Sequence, residues 1–154
     1  MRVTSCTALD EHTQWDIRTL IAACNQSDGT YNELYLSNRF NAYPEMDAFF
    51  LLWDGNRLVG VLDLDADNTV CAEVSAYVLP EARGRGGFRT LIAAACRELE
   101  RFRYSKLLFQ TEQAFPDRMA IVAWLGATFE EAEELMLCHP PRRHRTPAPD
   151  VRPG

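Results

Sequence analysis

Apolar and polar positions alternate along this chain in two periods, and the switches between them mark out its elements. Val3–Leu9 reads as a short first strand. Ile17, Leu20, Ile21 and Cys24 then recur at helical spacing, so a helix runs through them. Thr13-Gln14-Trp15-Asp16 has the spacing of a capping box and is taken as the helix start; Asp28-Gly29 ends the helix. A second short helix is predicted around Tyr31–Asn38, followed by a loop to Met46. Phe49–Trp53 is an apolar strand, Asp54-Gly55 a hairpin signal, and Leu58–Leu64 the returning strand. Asp65–Asn68 makes another turn before a third strand, Val70–Val78. On that strand Cys71, Glu73, Ser75 and Tyr77 share one face and Ala72, Val74, Ala76 and Val78 the other. The three form an antiparallel meander.

Beyond Val78 the period changes again. Phe88, Leu91, Ile92, Ala95, Leu99 and Phe102 mark one face of a long helix. Lys106–Thr111 is the next strand, and a strand–helix–strand unit implies parallel pairing. Asp117–Leu125 is a shorter helix stopped by Gly126, and Thr128–Cys138 holds the last strand. The fold class is therefore α/β (α+β): one domain over residues 1–139 with a mixed central sheet and about four helices. Residues 140–154, rich in Pro and Arg, read as a disordered tail.

Composition narrows the setting. The chain of 154 residues carries a net charge of −6, which argues against nucleic acid as a partner. No apolar run is long enough for a membrane span, and no secretory signal stands at the N-terminus. The five cysteines are scattered with no CxxC pair, which argues against a zinc site or disulfide framework. The expectation is a cytoplasmic protein without a metal; assembly as a homodimer stays open. Asp63-Leu64-Asp65-Ala66-Asp67 starts like a calcium loop, but Asn68 and Val74 stand where Gly and Glu are required, so a solvated hairpin is expected. Glu130-Glu131 and Glu133-Glu134 read as a solvated edge.

The candidate chemistry lies between the third strand and the long helix. Pro80-Glu81-Ala82-Arg83-Gly84-Arg85-Gly86-Gly87-Phe88-Arg89 is a Gly-rich, Arg-bearing loop opening a helix. Unpaired N–H groups and the helix dipole favour a phosphate or pyrophosphate there. GxxxxGK is absent, and a GxGxxG reading fails because Arg89 stands at the third glycine. The segment resembles the coenzyme A-binding motif of the GCN5-related N-acetyltransferase (GNAT) superfamily, Arg/Gln-x-x-Gly-x-Gly/Ala. Arg83 and Gly86 match, and Phe88 stands where Gly or Ala is usual. Val78-x-Pro80-Glu81 also resembles the family's strand end, and the element order agrees over roughly residues 3–138.

That resemblance implies an acetyl-CoA-dependent N-acetyltransferase with a splayed parallel strand pair. Its acceptor would be a small-molecule or peptide amine. Val78, Leu79 and Arg83, Gly84, Arg85, Gly86, Gly87, Phe88 and Arg89 would bind the cosubstrate, with an oxyanion donor near Val78 or Leu79. Glu73 stands where several members carry a general base, unless it is simply solvated; Glu112 is a second candidate. Asp117–Trp124 runs parallel to a family helix that carries a Tyr proton donor, but here the position holds Trp124. That tryptophan is expected against the pantetheine arm or in the core. Either Tyr77 donates the proton or the thiolate leaves unaided; a non-catalytic acyl-CoA-binding module is the alternative. Acceptor specificity is expected from Tyr31–Met46 and Glu112–Arg118.

Overall fold

Strand β1 (Arg2–Cys6) opens the fold, followed by helix α1 (Glu11–Asp28). Strands β2 (Phe49–Asp54), β3 (Arg57–Asp65) and β4 (Cys71–Val78) come next. A 3₁₀ turn (Pro80–Ala82), helix α2 (Gly87–Arg101) and strand β5 (Lys106–Phe109) complete the described elements. The computed structural model describes residues 1–109, 120–121 and 123–126. The Glu112 candidate, the Glu112–Arg118 segment, the last strand, its acidic run and the 140–154 tail all lie outside the described residues.

The sheet has the order β1-β2-β3-β4-β5. The first four strands are antiparallel neighbours, and β5 pairs with β4 in parallel. The meander and the parallel junction stand as the pattern predicts. Gly55, with φ 61°, turns the β2–β3 hairpin. The parallel pairing runs from Cys71↔Lys106 to Val74↔Phe109, so β4 continues for four residues past its last described partner.

Both sheet faces are covered. Ile17, Leu20, Ile21 and Cys24 bury one side of α1, and Leu91, Ile92, Ala95 and Leu99 one side of α2. Phe49, Phe50, Leu52, Val61, Leu62 and Leu64 fill the sheet between, each nearly inaccessible to solvent. Burial of this kind stabilises by roughly 1.5–3 kcal/mol per large apolar side chain. Phe88 and Phe102, at the two ends of the α2 stripe, are half-buried against the same core.

Three local expectations are corrected. The cap of α1 is Asp10, not Thr13. Its carboxylate accepts the Thr13 N–H at 2.7 Å, so Thr13 is the third helical residue. Residues 31–38 form no helix. Asn25 instead accepts from Thr30 Oγ1 and the Asn32 N–H and donates to the Asn32 carbonyl, giving that backbone partners that a helix would have had to replace. Asp63 does not belong to a solvated hairpin. It lies inside β3, paired with Phe49 and Ser75, and is only 7% exposed.

Candidate active site

The loop after β4 is shaped by its glycines in two different ways. Gly84 (φ 74°) and Gly86 (φ 80°) take left-handed conformations, and an added Cβ at either would meet nothing within 4 Å. They set the path of the chain and keep its outer side open. Gly87 is buried, and a Cβ there would stand 2.6 Å from the Leu52 side chain. It lets the first turn of α2 sit directly on the sheet.

The start of α2 has no side-chain cap and no acidic residue in its first turn. The opening N–H groups of the helix therefore face the loop with no built-in acceptor, the arrangement that binds anions. Arg85 and Arg89 are exposed beside it. Arg85 reaches Asp54 at 3.1 Å, a pair in which both side chains are about half exposed, so it is held weakly. The Arg89 guanidinium lies 4.7 Å from the Trp124 ring centroid. Trp124 is 66% exposed; of its two expected places, the core is ruled out.

Arg83 has a different role from its neighbours. Its guanidinium holds Asp28 through two bonds of 2.8 and 2.9 Å and donates from Nε to the Val78 carbonyl at 2.9 Å. The Asp28 hydrogen bond pushes the Arg83 pKa further up. The side chain thus ties the loop to the end of α1, and what Arg83 leaves for a ligand is chiefly backbone.

The backbone of β4 is directional at this point. Leu79 donates its N–H to the Val59 carbonyl at 2.8 Å, in the register that pairs Gly60 with Val78. Antiparallel neighbours alternate in facing a partner strand. Tyr77 and Ser75 therefore bond to β3, whereas Val74, Ala76 and Val78 turn their N–H groups to the β5 side. The Leu79 N–H is thus already committed, and of the two expected oxyanion donors only Val78 turns its N–H to the β5 side, past the last described β5 partner. The β3–β4 register is unbroken up to Val78. The carbonyl of Val78 is occupied by Arg83 and by the Cys24 thiol at 3.4 Å.

Polar side chains collect on the α1-facing side of β3 and β4. Glu73 is exposed and stands opposite Asp65; Tyr77 is half-buried opposite Val61. Asp63 lies opposite Ser75 on the same face, and the sequence reading missed it. Burial pushes its carboxyl up to about 7, with the Asp65 charge adding to the shift. A cleft of about 410 Å³ opens between α1 and residues 34–38, lined by Gln14, Arg18, Leu34, Tyr35 and Asn38 among others. Its far wall, Leu34 to Asn38, belongs to the stretch expected to carry acceptor specificity.

The model of the acetyltransferase (GNAT) family matches residues 11–124, well over half of the chain. This chain belongs to the GNAT family. Solved structures show the same fold at low sequence identity. A ribosomal-protein-alanine N-acetyltransferase from Brucella melitensis biovar Abortus 2308 is 18% identical, with TM-score 0.64, 90% of this chain and 100% of that one covered. An aminoglycoside acetyltransferase from an uncultured soil metagenomic sample, in complex with trehalose, is 14% identical at TM-score 0.61, with 90% and 95% covered. The aminoglycoside N-acetyltransferase AAC(6')-Iy in complex with CoA is 17% identical at TM-score 0.58, with 90% and 98% covered. No curated protein matches the sequence. Acetyl transfer is the chemistry of the GNAT family. None of the described helices is long and apolar enough to cross a membrane.

Proposed function

We propose that this GNAT protein transfers an acetyl group from acetyl-CoA to a primary amine, by direct attack with both substrates bound. The observation that carries the proposal is the uncapped start of α2 beside the end of β4, where Ala76 and Val78 turn their N–H groups to the β5 side past the last described partner. When bound, acetyl-CoA supplies an activated thioester carbonyl. The N–H groups of the Gly86–Arg89 turn would hold its pyrophosphate, with Arg85 and Arg89 adding charge at the rim. The Val78 N–H is the donor placed for negative charge building on the carbonyl oxygen.

An amine attacks only as the free base, so the site must take a proton from the ammonium form. The polar stripe of β3 and β4 supplies carboxylates for this, and Glu73 is the one reading of the sequence would choose. Tyr77, on the same face, is the described hydroxyl closest in sequence to Val78 and the group to test as donor to the leaving sulfur.

The test is a thermal-shift series with acetyl-CoA, coenzyme A, ATP and NAD, followed by thiol release over a panel of amines. Stabilisation by the two coenzyme A species and not by ATP or NAD, with thiol release on at least one amine, is the expected result. Stabilisation by ATP or NAD instead would overturn the coenzyme A assignment. Binding without thiol release on any amine would favour a non-catalytic acyl-CoA-binding module. Glu73→Gln should slow turnover while leaving coenzyme A binding unchanged.

A further inference from the structure

We propose that Asp63 is the carboxylate that receives the acceptor ammonium and takes its proton, with Glu73 and Asp65 at the solvent side of the same face. This rests on the acetyltransferase reading above and names a residue that reading does not contain.

The first observation is burial without a partner. Asp63 is 7% exposed, yet no described residue donates a hydrogen bond to its carboxylate; the one interaction it shows is with the like charge of Asp65. A buried carboxylate left in that state is costly, and such costs concentrate where a ligand supplies the missing partner. The contrast with Asn41 is direct. Asn41 is buried to the same degree (8% exposed), but it donates to the Leu64 carbonyl at 3.1 Å and accepts the Ala66 N–H at 2.9 Å. This fold meets its buried polar groups when their role is structural.

The second observation is placement. Asp63 pairs with Ser75, the residue just past Val74, where β4 loses its last described β5 partner. An antiparallel pair of this kind sets the two Cα atoms roughly 5.5 Å apart. Half-exposed Ser75 thus stands between the Asp63 carboxyl and the β5-facing edge of β4, past its last described partner. An amine resting over Ser75 would have the carboxylate on one side and that edge on the other.

The charged and titratable groups facing Asp63 are few. Its own strand contributes Asp65, and β4 contributes Cys71, Glu73 and Tyr77. The pairing residues of β2 on this face, Phe49 and Leu51, carry none, and the buried stripe of α1 brings only Cys24. On β5, Lys106 pairs with Cys71 at the far end of this face; among the described residues no cation bonds to Asp63 itself, so a positively charged ligand is the group that would relieve it. A base works best when its pKa lies near the working pH, and Asp63 is placed there by burial.

The proton balance is simple. The ammonium gives one proton to the Asp63 carboxylate and becomes a neutral amine. The amine nitrogen forms the new C–N bond as the C–S bond breaks. The second proton on nitrogen passes to the leaving sulfur, and Asp63 returns its own proton to water past Glu73 and Asp65.

The experiment pairs a carboxyl ¹³C titration with kinetics. In wild type, one aspartate carboxyl should titrate near pH 7, be missing from Asp63→Asn, and move to lower pH when n-butylamine is added, because a bound ammonium favours the charged form. Asp63→Asn should bind acetyl-CoA within about twofold of wild type, lose kcat by about 100-fold, a typical general-base contribution, and lose the rise of kcat through pH 7. Glu73→Gln should keep that rise. A carboxyl at position 63 that titrates below pH 5, or that ignores n-butylamine, overturns the proposal without any kinetics. Asp63→Asn retaining kcat and its pH rise does the same. Wild type that fails to bind acetyl-CoA would instead sink the acetyltransferase reading.

Discussion

The two long helices among the described residues begin in opposite ways. At α1, Asp10 closes the end: its carboxylate takes the Thr13 N–H and Glu11 sits in the first turn, so the positive end of the helix is answered from within the chain. The Thr13 bonds hold the Asp10 carboxyl below the usual carboxylate range. At α2, Gly86 offers no side chain, the first turn holds no acid, and two arginines stand at the rim. One helix start is finished and the other is left for an anion. The same contrast divides the buried polar groups of β3 and its flank, where Asn41 is fully partnered and Asp63 is not. Where this protein satisfies its polar groups it builds structure; where it leaves them it presents chemistry.

The largest effect that could break this comparison is on Asp63. Its folded pKa of about 7 lies above the ordinary aspartate value. The folded form therefore holds its proton over a range in which the unfolded chain has lost it. The sign follows from that: its contribution is fully present below about pH 4 and is lost as pH rises through 7. The loss is on the order of 4 kcal/mol from that shift. Chemical denaturation should show Asp63→Asn more stable than wild type at pH 8, with the gap closing toward pH 4. A gap independent of pH would mean the carboxyl is not held as described.

Next in size is Arg89→Glu, which puts an acid into the first turn of α2 and makes that end resemble α1. The dipole term favours it by well under about 1 kcal/mol, so Tm should hold or rise slightly. Acetyl-CoA affinity should fall by about 100-fold, because a phosphate now meets a carboxylate in place of a guanidinium. Calorimetry against acetyl-CoA measures it. An unchanged affinity would show that the anion does not bind at this helix start.

Much of this was legible in the chain. The hairpin at Asp54-Gly55, the polar stripe of β4 and the α2 stripe from Phe88 to Phe102 follow from local periodicity, and local periodicity decides such elements. The loop was legible too, since Gly84 and Gly86 occupy backbone conformations that favour glycine. Asp63 was not. In sequence it sits in an Asp-x-Asp-x-Asp run that looks solvated, and only the pairing of β3 with both β2 and β4, under cover of α1, buries it. The tether from Arg83 to Asp28 was hidden for a similar reason: 55 residues separate the partners. The cap at Asp10 could have been found, as an Asp three residues before Thr13 is itself a capping signal.

A smaller effect is expected at the finished helix start. Asp10→Ala removes the acceptor of the Thr13 N–H and should lower Tm by a few degrees while leaving acetyl-CoA affinity unchanged. That outcome, set beside Arg89→Glu, would be a double dissociation: stability moves at one helix end and binding at the other. Loss of affinity in Asp10→Ala would break it.

The finest test concerns Arg83, which belongs to both halves of the comparison. It sits in the anion loop but spends its guanidinium on Asp28, whose side chain is 11% exposed against 41% for Arg83. Such a partly exposed pair is worth less than about 1 kcal/mol after solvent screening. Arg83→Gln should therefore lower Tm only slightly. It should weaken acetyl-CoA binding by a few-fold, through a loop no longer fixed to the end of α1 and a Val78 carbonyl that has lost its Nε donor. Asp28→Asn separates the two routes by which Arg83 could matter. If the arginine acts by fixing the loop, the two variants weaken binding alike. If its charge meets the phosphate directly, Asp28→Asn frees the guanidinium and binding tightens while Arg83→Gln still loses it.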